Sequence, residues 1–242
     1  MSASPLFVCS SCWQPVPPAR WARVLDCPLC GQAHWRAPSQ GAIFPFRARG
    51  ISGGMGKEVQ WPLKILSHHR YTSTNWFYIV GEVYNPYELP MQSVDVVATL
   101  YDKTRSVIGV TSSLTSLPVI PPQGRSPFKI GTDNWAEVYA YDLQAEGRPG
   151  GMPRQDLVIT NQAVHVEGSW LQVFGEVRNI GRLPATNVRA VVTLYNAQGE
   201  VSGTGYAIVQ TRVLAPGDAA PFRCGINHFP NFEHYLIQAQ GE

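Results

Sequence analysis

No stretch of this chain approaches the eighteen or so apolar residues that a membrane-spanning helix needs. Met1 to Val8 has neither a basic n-region nor an apolar h-region, so the expectation is a soluble cytoplasmic protein with no membrane span. Charge is also scarce. Only 15% of residues are Asp, Glu, Lys or Arg, against 44% hydrophobic, which argues against a disordered, charge-solvated chain. Cysteine is confined to five positions. Four of them form two close pairs, which is not the dense framework of a small secreted scaffold. The six histidines stand beside no serine or cysteine in a nucleophile motif. His228, Glu233 and His234 match no ligand spacing and read as loop residues. Gly50 to Lys57 superficially resembles a phosphate loop, but Glu58 stands where the magnesium-binding Ser or Thr must be. The expectation is therefore a protein that is not an enzyme.

What the chain does contain is itself, twice. Residues 76–147 overlay residues 170–241 without a gap, at a spacing of 94. Gly81-Glu82-Val83 returns as Gly175-Glu176-Val177, and Asn85 as Asn179. Leu89-Pro90 returns as Leu183-Pro184, Thr99-Leu100-Tyr101 as Thr193-Leu194-Tyr195, and Pro127-Phe128 as Pro221-Phe222. A period this long is a whole domain, not a solenoid unit. Two domains follow, 60–148 and 154–242, preceded by an N-terminal piece over 1–37 and a Gly-rich segment over 38–59 that reads as a flexible tether. Cys224 aligns with Ile130 and so reads as a buried small hydrophobe.

The N-terminal piece carries Cys9-x2-Cys12 and Cys27-x2-Cys30, followed by Gly31. Two residues between cysteines let one tight turn aim both sulfurs at one ion, and two such turns complete a closed tetrahedron. Cys9, Cys12, Cys27 and Cys30 are thus expected to hold one structural Zn²⁺. Two disulfides or a redox pair are the alternatives, but the first needs an oxidising compartment and the second a βαβ context. The net charge of +2 is unevenly spread. Residues 1–57 carry six cationic side chains against Asp26 alone, so this arm is the part with affinity for a polyanion. Trp13, Trp21 and Trp35 add stacking surfaces.

Both repeats alternate with period two. Phe77, Ile79, Gly81 and Val83 are expected to face a core, as are Leu171, Val173, Gly175 and Val177. Leu100 and Leu194 belong to the next core-facing set. The opposite face of the first repeat carries Trp76, Tyr78, Tyr84 and Tyr101 as well as Val80, Glu82 and Val97. An outward face this aromatic is a candidate protein-contact surface, for a protein partner or for self-association. Cover from the tether, the other repeat or the rest of the same repeat is the competing reading. With twenty prolines, twenty-two glycines and few candidate helices, the chain reads as all-β, with about seven strands per repeat.

The residues Gly175-Glu176-Val177-x-Asn179, Thr193-Leu194-Tyr195-Asn196, Ala215-Pro216-Gly217-Asp218 and Pro221-Phe222 resemble the FxLYD domain family. Repeat one has the matching Thr99-Leu100-Tyr101-Asp102 but departs at Pro122-Gln123-Gly124. The segment around Cys27-Pro28-Leu29-Cys30-Gly31 resembles small bacterial zinc ribbons. These resemblances imply a zinc ribbon followed by two tandem immunoglobulin-like β-sandwiches, in a bacterial accessory or interaction protein with no catalytic residues to carry over. A non-enzymatic binding or scaffold protein is the leading expectation. A nucleic-acid-associated protein that binds through the basic arm is the second.

Overall fold

A computed structural model describes residues 60–73, 76–133, 137–168, 170–227 and 232–242, and four short strands nearer the N terminus. The chain divides into two compact units, Met1–Lys57 and Glu58–Glu242. The described residues contain strands and turns and no helix, so the fold is all-β.

In the first unit β1 (Phe7–Val8) pairs antiparallel with β2 (Pro15–Val16), and β3 (Leu25–Asp26) with β4 (Ala33–His34). Cys9, Cys12, Cys27 and Cys30 lie outside the described residues.

The second unit begins with β5 (Trp61–Ser73), β6 (Trp76–Tyr84), β7 (Met91–Tyr101) and β8 (Val107–Leu114). It continues with β9 (Val119–Ile120), β10 (Arg125–Thr132) and β11 (Ala140–Pro149). These form one seven-stranded curled sheet in the order β10-β6-β5-β11-β7-β8, with β9 beside β7. The curl passes through β5. Trp61 to Leu63 pair with β11, and from Lys64 onward the strand pairs with β6, with an irregularity between Ile65 and Ser67. The two arms of the sheet close on one core, with Ile79, Val83, Phe128 and Ile130 from one side and Val96, Ala98 and Leu100 from the other.

Repeat two contains β12 (Leu157–Glu167), β13 (Trp170–Asn179), β14 (Ala185–Thr186) and β15 (Arg189–Tyr195). After them come β16 (Val201–Ile208), β17 (Val213–Leu214), β18 (Ala219–Asn227) and β19 (His234–Gln240). Here the arms are separate sheets, β12-β13-β18 and β16-β15-β19, enclosing Leu171, Val173, Phe222 and Cys224 against Ala190, Val192 and Leu194. Both repeats are consistent with a β-sandwich, one sheet laid over another.

The pairing repeats in the same register as the sequence. Gly81 lies opposite Phe128 and Gly175 opposite Phe222; Leu100 lies opposite Tyr141 and Leu194 opposite Tyr235. This explains the recurrent glycine and phenylalanine. A Cβ on Gly81 would lie 2.7 Å from the Phe128 ring, and one on Gly175 would lie 2.8 Å from Phe222. The ring sits on the glycine and no side chain fits beneath it.

The recurrent asparagine is a buried pin. Asn85 Nδ2 donates to the carbonyls of Leu89 and Ile120, and Asn179 Nδ2 to those of Leu183 and Leu214. Each Oδ1 in turn accepts a backbone N–H two residues on, from Tyr87 and Gly181. One side chain thus fastens its own connecting loop to the end of a short strand, β9 in repeat one and β17 in repeat two. The turn at Pro122-Gln123-Gly124 keeps the geometry of its counterpart despite the changed sequence. Gln123 has φ 57° where Gly217 has φ 85°, and Gly124 N–H to Pro121 O repeats as Asp218 N–H to Ala215 O.

Leu100 and Leu194 are both buried in their own cores. Truncating either to Ala is expected to cost about 2–5 kcal/mol in denaturant unfolding. Asn85→Ala and Asn179→Ala should each cost about 3 kcal/mol, because each strands buried carbonyls without a donor. A loss below about 0.5 kcal/mol, the range of an ordinary surface change, would show that the asparagine is not a pin.

Candidate protein-contact surface

The outward face of β6 splits into three environments. At one end Tyr71, Tyr78 and Trp76 form a ladder, with ring centroids 5.1 Å and 6.0 Å apart. Lys129 Nζ lies 4.4 Å from the Tyr78 centroid and 5.9 Å from that of Tyr71. Gly131, opposite Tyr78 in the ladder of strands, leaves room for the ring; a Cβ there would lie 2.9 Å from it. Burial raises the Tyr71 hydroxyl pKa above its usual range and lowers that of Lys129. The last ring, Trp76, is 44% exposed.

In the middle, Val80 and Glu82 are buried, against the expectation of an outward face. Their cover is repeat two. Tyr195 donates its hydroxyl proton to Glu82 Oε1 at 2.6 Å, and Arg125 stands 3.5 Å from Glu82 Oε2. Ser67 Oγ accepts the Val201 N–H at 3.2 Å, and His69 Nδ1 lies 2.8 Å from Val201 O, the imidazole N–H donating. Further along, Gln240 closes both backbone groups of Val119 in the manner of a strand, at 2.9 Å and 2.8 Å. Arg189 donates to Ser116 O at 3.0 Å. Val191, Thr193 and Val201 are fully buried alongside. The outer face of β16-β15-β19 therefore lies on the outer face of β10-β6-β5. At the far end of β6, Tyr84 is half-buried and donates to Gln123 Oε1.

Trp76, Tyr78, Tyr84 and Tyr101 do not share one face, and this corrects the sequence reading. β6 pairs with β5 and β10, whereas β7, which ends in Tyr101, pairs with β8, β9 and β11. The Asn-x3-Leu-Pro connection carries the chain from one arm to the other, so outward on β6 and outward on β7 are opposite sides of the repeat. Alternation specifies the side of a strand, not the sheet that holds it. Sequence reasoning also missed Glu82. Its recurrence as Glu176 was visible, but the burial of one copy was not.

Other candidates resolve simply. Cys224 is buried, and burial pushes its thiol up to about 12, so it behaves as a core apolar group. His234 is exposed and stacks on Tyr195 with centroids 5.0 Å apart; His228 lies outside the described residues. Among the described residues no group of three or more His, Cys, Asp or Glu is placed to hold a metal ion, and no helix is long and apolar enough to cross a membrane.

No family model matches this chain, and no curated protein does. Among solved structures it is similar to the structure of a beta-glucuronidase from glycoside hydrolase family 2, at 10% identity and a TM-score of 0.26. That match covers 73% of this chain and spans 23% of the other.

Two outcomes follow from the geometry. Tyr78→Ser removes two ring contacts and a cation–π contact, so it should lower stability by about 2 kcal/mol, whereas Trp76→Ser, at the open end of the ladder, should change it by less than about 1 kcal/mol. Equal effects in thermal unfolding would contradict the ladder. Tyr195 supplies a pH dependence. Burial first, and the bond to Glu82 second, raise its pKa above the ordinary tyrosine value. Its contribution is complete below about pH 10, where an unfolded tyrosine is still protonated, and is lost as pH rises through that value toward the folded one. Tyr195→Phe should cost about 2 kcal/mol at neutral pH and show a shallower alkaline loss than the parent. Tyr71 and Tyr87, also raised by burial, remain in both proteins and cancel in the comparison.

Proposed function

We propose that this chain is a non-enzymatic binding or scaffold protein of the FxLYD type. In this reading residues 1–37 form a zinc ribbon and residues 38–59 a tether. Residues 60–148 and 154–242 form two immunoglobulin-like β-sandwiches that act as protein-interaction domains in a bacterial cytoplasm. The observation that carries it is the contact between the repeats. A sheet face of one is recognised by a sheet face of the other through a buried carboxylate–phenol pair and side-chain bonds to strand backbone. Recognition of a protein surface is thus what these domains already do within the chain.

Four thiolates in two C-x2-C pairs suit one closed tetrahedral Zn²⁺ whose role is folding, since small ribbons draw most of their stability from the metal. The short antiparallel pairs that flank each cysteine pair in sequence support this. Zinc bound by four thiolates also lowers the effective charge of the arm to about +3, which weakens the case for nucleic acid.

Protein purified without added metal should contain one zinc per chain by elemental analysis. Less than about 0.2 zinc per chain, with the sulfurs paired, would overturn the ribbon. A gel-shift titration with DNA and RNA should show no binding at physiological salt. A shift that weakens steeply with added salt would favour the basic-arm reading instead.

A further inference from the structure

The contact between the repeats is heterologous: it joins one sheet face of repeat one to the other sheet face of repeat two. Because the repeats share one fold register, each also carries the face it does not use. Repeat two has its own version of the receiving face on β12-β13-β18, with Phe174 and Glu176 where repeat one has Val80 and Glu82. Repeat one has its own version of the inserted face on β11-β7-β8, with Val97, Thr99, Tyr101 and Val107 where repeat two has Val191, Thr193, Tyr195 and Val201.

The unused faces keep the valine, phenol and carboxylate of the contact and leave them more exposed, while Asn161 and Ala163 stand where Ser67 and His69 bond to Val201. Val201 is 0% exposed under repeat one, while its counterpart Val107 is 59% exposed. Glu82 is buried, while Glu176 is half-open. Tyr195 is buried, while Tyr101 is half-open. The phenol and the carboxylate that meet within the chain thus recur unjoined to each other, on the two outer ends of the pair, each with a local partner: Asn161 donates to Glu176 at 2.6 Å and Tyr101 bonds to Asp142.

Some of the differences between the outer faces and the used ones are of complementary charge. Arg189 and Gln240, which reach Ser116 and Val119, are replaced on the repeat-one face by Asp95 and Glu146. The positions they would reach are Gln210 and Val213, and between those stands an exposed Arg212 in place of Pro118. The receiving face of repeat two has an exposed Arg178 where repeat one has Tyr84 and keeps a cation, Arg223, in place of Lys129, while Ala219 and Ala163 stand where repeat one has Arg125 and His69. Acidic groups on one outer face would meet arginines on the other.

We infer that the occupant of these faces is a second copy of this chain: repeat one of one molecule docks on repeat two of the next, where a third repeat would lie. This rests on the interaction-domain reading above and narrows its partner to the chain itself. A heterologous contact of this kind does not close on itself unless its rotation happens to complete a ring, so the assembly grows head to tail.

Sedimentation velocity and light scattering of the full chain test it. Average mass should rise with concentration past that of a dimer, at up to about 0.2 mM, where contacts of standard size are populated. Val107→Glu spoils the inserted face and Phe174→Glu the receiving face, and Arg223→Glu, at an exposed position, is the second receiving-face variant. Each should raise the concentration for half-association at least tenfold, with the melting temperature of the parent retained. Mixed in equal amounts, Val107→Glu and a receiving-face variant should form a dimer and nothing larger, because only one pair of intact faces remains. A parent protein that stays monomeric overturns the proposal, as does a symmetric dimer whose mass stops rising, or variants that fail to complement. None of these results alters the zinc content or the gel shift, so the broader interaction reading stands or falls separately.

Discussion

One buried carboxylate organises the folded chain. Glu82 lies on the outside of repeat one and yet is almost out of solvent, held by the Tyr195 hydroxyl and approached by Arg125. A charge in such a place is tolerated only when its partners are fixed, since removing one partner leaves the other buried and unpaired. Fixing them requires β15 and β16 to lie across β6 in one register. The remaining contacts at Ser67, His69, Val119 and Ser116 agree with that register. Apolar burial at Val80, Val191 and Val201 supplies a non-directional drive for the contact, and the polar groups define which alignment is reached. The two repeats therefore behave as one compact unit and not as beads on a string.

Within each repeat the organising constraint is close approach. Gly81 and Gly175 admit a phenylalanine ring onto the strand, and the Asn85 and Asn179 side chains tie the connecting loops to β9 and β17. These positions recur because the backbone geometry that needs them recurs. The left-handed turn residues show the same geometry reached with different chemistry. Ser93, Arg105 and Gln123 hold positive φ where repeat two has Asn187, Gly199 and Gly217. Repeat one carries side chains in a region that glycine and asparagine occupy more cheaply, so its turns are held by their surroundings. Gln123 illustrates this: its amide donates to Pro86 O and its carbonyl accepts from Tyr84.

Much of this was legible in the residues. The many prolines and glycines anticipated an all-β chain, the ungapped repeat anticipated equivalent pairings 94 positions apart, and period-two alternation separated Ile79 and Val83 from Trp76 and Tyr78. Two things were not legible, for one reason. Alternation reports which side of a strand a residue occupies, but not what lies beyond it. Val80 and Glu82 read as outward, and they are, but repeat two stands outside them. Trp76 and Tyr101 read as neighbours on one face because β6 and β7 are consecutive, yet the Asn85 connection places them in different arms. Both errors concern long-range placement, which no local pattern encodes. The pairs that carry it, Glu82–Tyr195 and Val119–Gln240, are separated by more than a hundred residues.

Duplication of a domain that then binds its own copy has a structural consequence of its own. If two identical units pack through identical patches, the contact is closed and nothing is left over. If they pack through different patches, each unit retains one unused patch, and the tandem chain has two open ends of opposite character. The described residues show the second arrangement, and the two ends have diverged unequally. Val107, Tyr101 and Glu176 match Val201, Tyr195 and Glu82, while Asp95 and Glu146 stand on one side in place of Arg189 and Gln240, and Arg178 and Arg212 on the other in place of Tyr84 and Pro118. A phenol at one open end and a carboxylate at the other are the groups through which a contact between two such chains would set its alignment.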